Sequence, residues 1–138
     1  MVREPSDSDR PGERQAAAER SHRALSGPLL SFDLAKEADR LRAESPWTQH
    51  GRNAVTLVKH PDLRVVYMLM KPSTRMQEHH SGATVSVHAL SGHVRLHLGE
   101  QTFDLSAGHV LVLERDIPHD VEAIAESAVL ITIAWRGE

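Results

Sequence analysis

The stretch Ala83 to Leu113, ATVSVHALSGHVRLHLGEQTFDLSAGHVLVL, decides the fold. Apolar and polar side chains alternate through ATVSVHAL, VRLHL, TFDL and HVLVL, and Ser91-Gly92, Gly99-Glu100 and Ala107-Gly108 interrupt the runs. Residues two apart on a strand share a face, so this period predicts short half-buried strands joined by tight turns. The pattern continues in both directions. AVTLV and LRVVYMLM precede the stretch, the second after His60-Pro61-Asp62; HDVEAI and AVLITIAW follow it, with Asp116 to Pro118 and Glu126-Ser127 as breaks. Eight short strands at even spacing predict an all-β sandwich or barrel. No helical segment separates them, which argues against a parallel α/β sheet. Without an internal repeat, a single barrel is expected over residues 29–138.

Ahead of the strands, FDLAKEADRLRAE (32–44) places Leu34, Ala38 and Leu41 at helical spacing. Asp33 or Ser31 can cap its start and Pro46 helps to stop it. The predicted helix, about 33–44, is narrow on its apolar face and must lie against something larger. Residues 1–28 are polar and charged, with Pro5, Pro11 and Gly12, and read as a mobile arm with one short helix around Gln15 to Leu25.

Composition removes several function classes. Sixteen basic against nineteen acidic residues leave a net charge of −3, which attracts neither nucleic acid nor an anionic membrane. No apolar run reaches the roughly 18 residues that span a bilayer, and the first twenty residues hold no signal-peptide core, so a cytoplasmic location is expected. Gly-rich phosphate loops, nucleophile elbows and recognition helices are absent from the sequence. With no cysteine among 138 residues there is neither a disulfide nor a thiolate site. A metal would be held by imidazole and carboxylate, which suits zinc, iron, manganese, nickel, cobalt or copper.

Ten histidines are the unusual feature. In GHVRLHL, the residues His93, Arg95 and His97 alternate with aliphatic ones and are expected to face water. His22, His50, His60 and His109 fall in or beside loops and receive no role. Glu78-His79-His80 differs, because it precedes a strand and follows the Pro-containing connection KPSTRMQ. His119, after Ile117-Pro118, opens the strand HDVEAI. A carboxylate, two imidazoles and an open position would hold a divalent metal, although spacing alone does not bring these two places together.

Those same residues carry a resemblance. From about Lys71 to Trp135 the sequence resembles the cupin superfamily. EHHSGATVSVHALSG ends on Gly92 as the first cupin motif does, with His80 in the place of its second histidine. Gly108 to His119 reproduces the glycine-to-histidine spacing of the second motif, and VRLHLGEQTFDLSAGHVLVL is similar to the region between them. The resemblance implies a cupin-type jelly-roll barrel, a double-stranded β-helix. It also departs from the pattern. Glu78 stands where the first motif histidine belongs, with His79 beside it; Val85 takes the place of the acidic ligand; Glu114 and Asp116 replace the second motif's proline and glycine.

By position, the resemblance implies a metal set of His80 and His119 with Glu78, or with His79 if a bulge rotates the segment. Val85, Val87, Met68, Met70 and Val121 are expected to line an aliphatic interior. His88 falls on the opposite side of its strand by simple alternation and is read either as a histidine satisfied between sheets or at a subunit contact, or as a pocket residue. The methionines read as core filler. Trp47 and Trp135 could cover a barrel end or a dimer surface. The barrel does not fix a reaction. Two functions stand: a cupin binding a divalent metal, a small molecule or both, with metal-dependent chemistry on a small oxygenated substrate, or a metal-free binding or sensing module. A scaffold with its histidines merely hydrogen-bonded is a third, and a homodimer is expected under each.

Overall fold

The computed structural model describes residues 24–78 and 82–136, apart from the side chain of Glu78. The predicted arm falls mostly outside these residues, as do His22, His79 and His80. At its described end, the carbonyl of Leu25 accepts a hydrogen bond from the Lys59 amide at 2.7 Å.

Among the described residues, nine strands follow two short helices. Helix α1 spans Leu34–Ala43, and the Asp33 side chain caps it by accepting from the amides of Ala35 and Lys36 at 3.0 and 3.3 Å. Ala38 and Leu41 fill its buried face. A helix directly after α1 was not expected. Glu44 ends α1 in an extended conformation, and α2, Ser45–His50, starts at once with Pro46 in its first turn. Proline lacks an amide that a first helical turn leaves unbonded anyway, so it starts the second helix as well as following the first.

The strands are β1 (Arg52–Lys59), β2 (Leu63–Met70), β3 (Arg75–Glu78), β4 (Ala83–Ser91), β5 (His93–Leu98), β6 (Gln101–Ser106), β7 (Val110–Leu113), β8 (His119–Ala123) and β9 (Ser127–Trp135). They form two antiparallel sheets, ordered β1-β2-β9-β4-β7 and β3-β8-β5-β6. The all-β jelly-roll barrel is therefore present. Strand β3 corrects the reading of KPSTRMQ as a bare connection. RMQE has no β-branched residue and forms a strand because β8 offers it a ladder, from Arg75↔Glu122 to Glu78↔His119.

Alternation sorts the side chains as the period requires. Met68, Met70, Val85, Val87, Leu96, Val121, Ile131 and Ile133 point between the sheets and form the main core. The other face of the five-stranded sheet is also covered, because Tyr67 and Leu69 pack with Val55, Leu57, Leu41 and Trp47 under the helices. That burial raises the pKa of the Tyr67 hydroxyl, against the opposing pull of Arg42. The outer face of the four-stranded sheet carries charge instead. Arg75 binds Asp120 at 2.6 Å, Arg95 binds Asp104 at 2.7 Å, and His97 meets Glu122 at 2.8 Å. His93, Arg95 and His97 lie on this partly exposed face, as alternation predicts.

The glycine that closes the first motif, Gly92, has a steric cause. Its φ is +80°, and a Cβ there would collide with the Glu126 carbonyl oxygen. The chain turns from β4 into β5 directly against the β8–β9 connection, where no side chain fits.

Candidate functional site

The two motif segments meet at one end of the barrel. Glu78, at the end of β3, is the register partner of His119, at the start of β8. A second tie lies beside it: the Asp116 carboxylate accepts a hydrogen bond from the Gly82 amide at 2.9 Å. Asp116 has φ +65°, a left-handed conformation that aspartate tolerates better than most residues. The turn it makes aims Pro118 and His119 into β8. The residue that displaces the second motif's glycine thus takes over a turning role, and adds a link to Gly82 inside the first motif.

His119 is 5% exposed and lies on the inward face of β8 with Val121 and Ala123. Its Nδ1 lies 3.1 Å from the Ile117 carbonyl oxygen. A carbonyl only accepts, so Nδ1 carries the hydrogen and Nε2 carries the lone pair. Nε2 is buried and has no hydrogen-bonding partner among the described residues. Leaving such an atom unpaired costs about 1–3 kcal/mol. An imidazole fixed through one nitrogen by a carbonyl, with the other nitrogen bare, is the arrangement in which histidine binds metals. The same lone pair accepts a hydrogen bond from a ligand donor.

Of the other expected ligands, the side chain of Glu78 lies outside what the structure describes. His79 and His80 lie outside the described residues. Among the described residues, no group of three histidine, aspartate or glutamate side chains is placed to hold a metal. Val85 is 3% exposed between its register partners Leu113 and Ile133, so no donor stands in the acidic ligand's place.

The expected pocket residues divide. Met68, Met70, Val85, Val87 and Val121 are all buried in the barrel core. His88 does not line the interior: β4 turns it outward with Ser86 and Leu90, between Val110 of β7 and Leu130 of β9. Of the interior side chains, Met68 borders a recess of about 220 Å³ shared with Arg52, Asn53, Ala54 and Met76. This opening lies where β1 and β2 face β3, two residues along β3 from the position opposite His119. Arg52 and Met76 gave no signal in the sequence, because only the approach of β3 makes them neighbours. A larger recess, about 360 Å³, lies outside the barrel beside the start of α1, lined by Phe32, Lys36 and Arg40. It shares no residue with either motif. Trp47 belongs to the helical layer, with Lys71 above its ring at 5.0 Å, and Trp135 edges the barrel core under Arg64.

Comparison with known proteins agrees with this fold. The profile of the AraC-like ligand-binding domain matches residues 65–137, slightly more than half of the chain. The chain belongs to this family, within the cupin superfamily. A conserved protein of unknown function from Streptococcus pyogenes has the same fold, with a TM-score of 0.63 at 18% identity over 83% of this chain and 95% of that one. KdgF from a Halomonas species gives 0.57 at 19% identity, over 63% and 82% of the two chains. The cupin domain of an XRE-family transcriptional regulator from Enterobacter cloacae gives 0.56 at 14% identity, over 63% and 99%. No curated protein matches the sequence significantly. This AraC-like domain therefore has a cupin fold of a ligand-binding type. Among its described residues no helix is long and apolar enough to cross a membrane.

Proposed function

We propose that this AraC-like domain is a small-molecule-binding and sensing module, acting in the cytoplasm as a homodimer, whose ligand enters the barrel at the end where His119 opens β8. The observation that carries this reading is the buried Nε2 of His119, which has no partner among the described residues. An aliphatic interior with one fixed acceptor suits a ligand that is largely apolar and carries one hydrogen-bond donor. The recess beside Met68 and Met76 is large enough to start from, since a water molecule takes about 30 Å³. The likeness to a regulator's cupin domain supports sensing over turnover.

A second reading is favoured by the same nitrogen. His119 with Glu78 and His80, or with His79 in place of Glu78, would bind a divalent metal such as zinc, iron, manganese, nickel, cobalt or copper. There the metal would polarise a small oxygenated ligand. The test is the metal content of untagged protein purified without metal-affinity resin, beside the His80→Ala/His119→Ala double variant. About one equivalent in the parent, lost in the variant, establishes the metal form. Metal absent from both, with a small molecule recovered by mass spectrometry from the parent alone, establishes the metal-free module. Neither metal nor bound molecule in the parent, and no thermal shift with any compound of a metabolite panel, sinks both readings.

A further inference from the structure

Four strands form the edges of the two sheets: β1 and β7 in one, β3 and β6 in the other. An open edge pairs with any suitable strand, and proteins usually blunt it with charge. Three of these edges are blunted. β1 carries Arg52 and Lys59, β3 carries Arg75 and Glu78, and β6 carries Asp104 among exposed polar residues. β7 reads Val110-Leu111-Val112-Leu113 and has no polar side chain. Leu111 and Leu113 turn toward the barrel, whereas Val110 and Val112 are 52% and 61% exposed on the outer face.

The backbone of this edge is open in a defined phase. The His109 carbonyl accepts from the Ala89 amide of β4 at 3.0 Å. Backbone groups alternate sides along a strand, so residues 109, 111 and 113 bond toward β4, while the N–H and C=O of Val110 and Val112 face away from it. No other described strand pairs with β7.

We propose that β7 is a self-association surface, on which two copies join edge to edge and antiparallel about a two-fold axis through Leu111. Val110 of each copy then lies opposite Val112 of the other. These are the residues whose backbone groups point outward, so both pairs exchange backbone hydrogen bonds, and their valine side chains meet across the seam. The charges permit this register. Glu114 falls opposite Gly108, which has no side chain, and His109 opposite Leu113. A shift of two residues would instead set Glu114 against Val110. An edge meeting its own copy gives an isologous contact that closes at two and does not propagate. A second copy of this chain is therefore the partner that fits. The ligand reading rests on His119 and not on β7, so failure here would remove only the homodimer from the proposed function.

Sedimentation of the full chain, with Val110→Lys, Val112→Glu and the Val110→Lys/Val112→Glu double variant, tests the register. The parent is expected to be a dimer, and each single variant to weaken dimerisation by at least about tenfold, since it sets a charge against a valine. In the double variant the introduced lysine of each copy faces the introduced glutamate of the other, and dimerisation returns. A monomeric parent, singles that dimerise as the parent does, or a double variant no better than the singles would each overturn the proposal. Hydrogen exchange on the parent gives a check that needs no variant: the Val110 and Val112 amides are protected at dimer-forming concentrations and exchange freely on dilution. Rapid exchange at both sites in a dimer would place the contact elsewhere.

Discussion

The Nδ1 of His119 lies 3.1 Å from the carbonyl oxygen of Ile117, two residues before it in the chain. This contact decides which nitrogen carries the hydrogen, and so which one faces the interior as a bare acceptor. A residue that sacrifices stability for a ligand has a measurable signature. In His119→Leu the unpaired atom is gone and the volume nearly kept, so the ligand-free protein should melt within about 1 kcal/mol of the parent or above it. Binding of the recovered ligand or metal should fall by more than about 100-fold, beyond what loss of a supporting contact costs. Calorimetry of both proteins, with and without ligand, checks this. A variant that is strongly destabilised yet binds normally would make His119 a structural residue.

Val85→Glu probes the missing acidic ligand. Val85 is almost fully buried, so a carboxylate there should destabilise the metal-free protein by about 2–4 kcal/mol. If position 85 faces the same space as His119, added zinc or manganese should recover most of that loss and raise metal affinity above the parent's. Thermal melts with and without metal measure both. Destabilisation with no recovery in any metal would place position 85 away from the site.

Gly92→Ala is expected to cost more than an ordinary surface change. The new Cβ would collide with the Glu126 carbonyl oxygen, and the φ of +80° is one that alanine adopts poorly. A loss of at least about 2 kcal/mol in urea unfolding is expected. Gly99→Ala serves as the control. It also has a positive φ, but its Cβ would meet nothing within 4 Å, so it should cost clearly less.

The outer face of the four-stranded sheet should respond to acid. Its hydrogen bond to His97 holds the Glu122 carboxyl below its ordinary pKa, and the bond from Arg95 does the same for Asp104. Because the folded groups ionise at lower pH than the unfolded ones, their contribution is complete above the usual carboxylate range near pH 4. It disappears as pH falls through the lowered folded values. The groups are exposed, so the effect is small and salt should shrink it further. His97→Gln should let the Glu122 pKa rise while leaving that of Asp104 in place, as carboxyl-detected NMR titration would report.

How much of this was readable beforehand depended on range. Strands such as Ala83–Ser91 and His93–Leu98 announce themselves because one face is dry and the other wet, so every second residue carries the message. Helix α1 was legible for the same reason, with Asp33 as its cap. The failures are elements whose cause lies elsewhere in the chain. Arg75–Glu78 becomes a strand only because β8 runs beside it, and Ser45–His50 a helix only because Trp47 has a core to enter. Alternation set His88 opposite Val85 but left the pocket reading open, and only the register turns it outward. The His119 end of the barrel was legible as residue types and not as a place. Glu78 and His119 stand far apart in sequence, and neither the pairing of β3 with β8 nor the carbonyl behind the imidazole leaves a mark on local composition.

The helices cover one side of the five-stranded sheet, and the barrel core covers the other. The four-stranded sheet is wet across its outer face, whereas the five-stranded sheet is wet there mainly at its β7 edge. That asymmetry says how the molecule should be handled in the experiments above. A dye or tether at Thr102, exposed on β6, sits on the side where neither the ligand end nor β7 is needed. One carried by the helices would press on Trp47 and Leu41, and through them on the back of the sheet whose front forms the barrel wall.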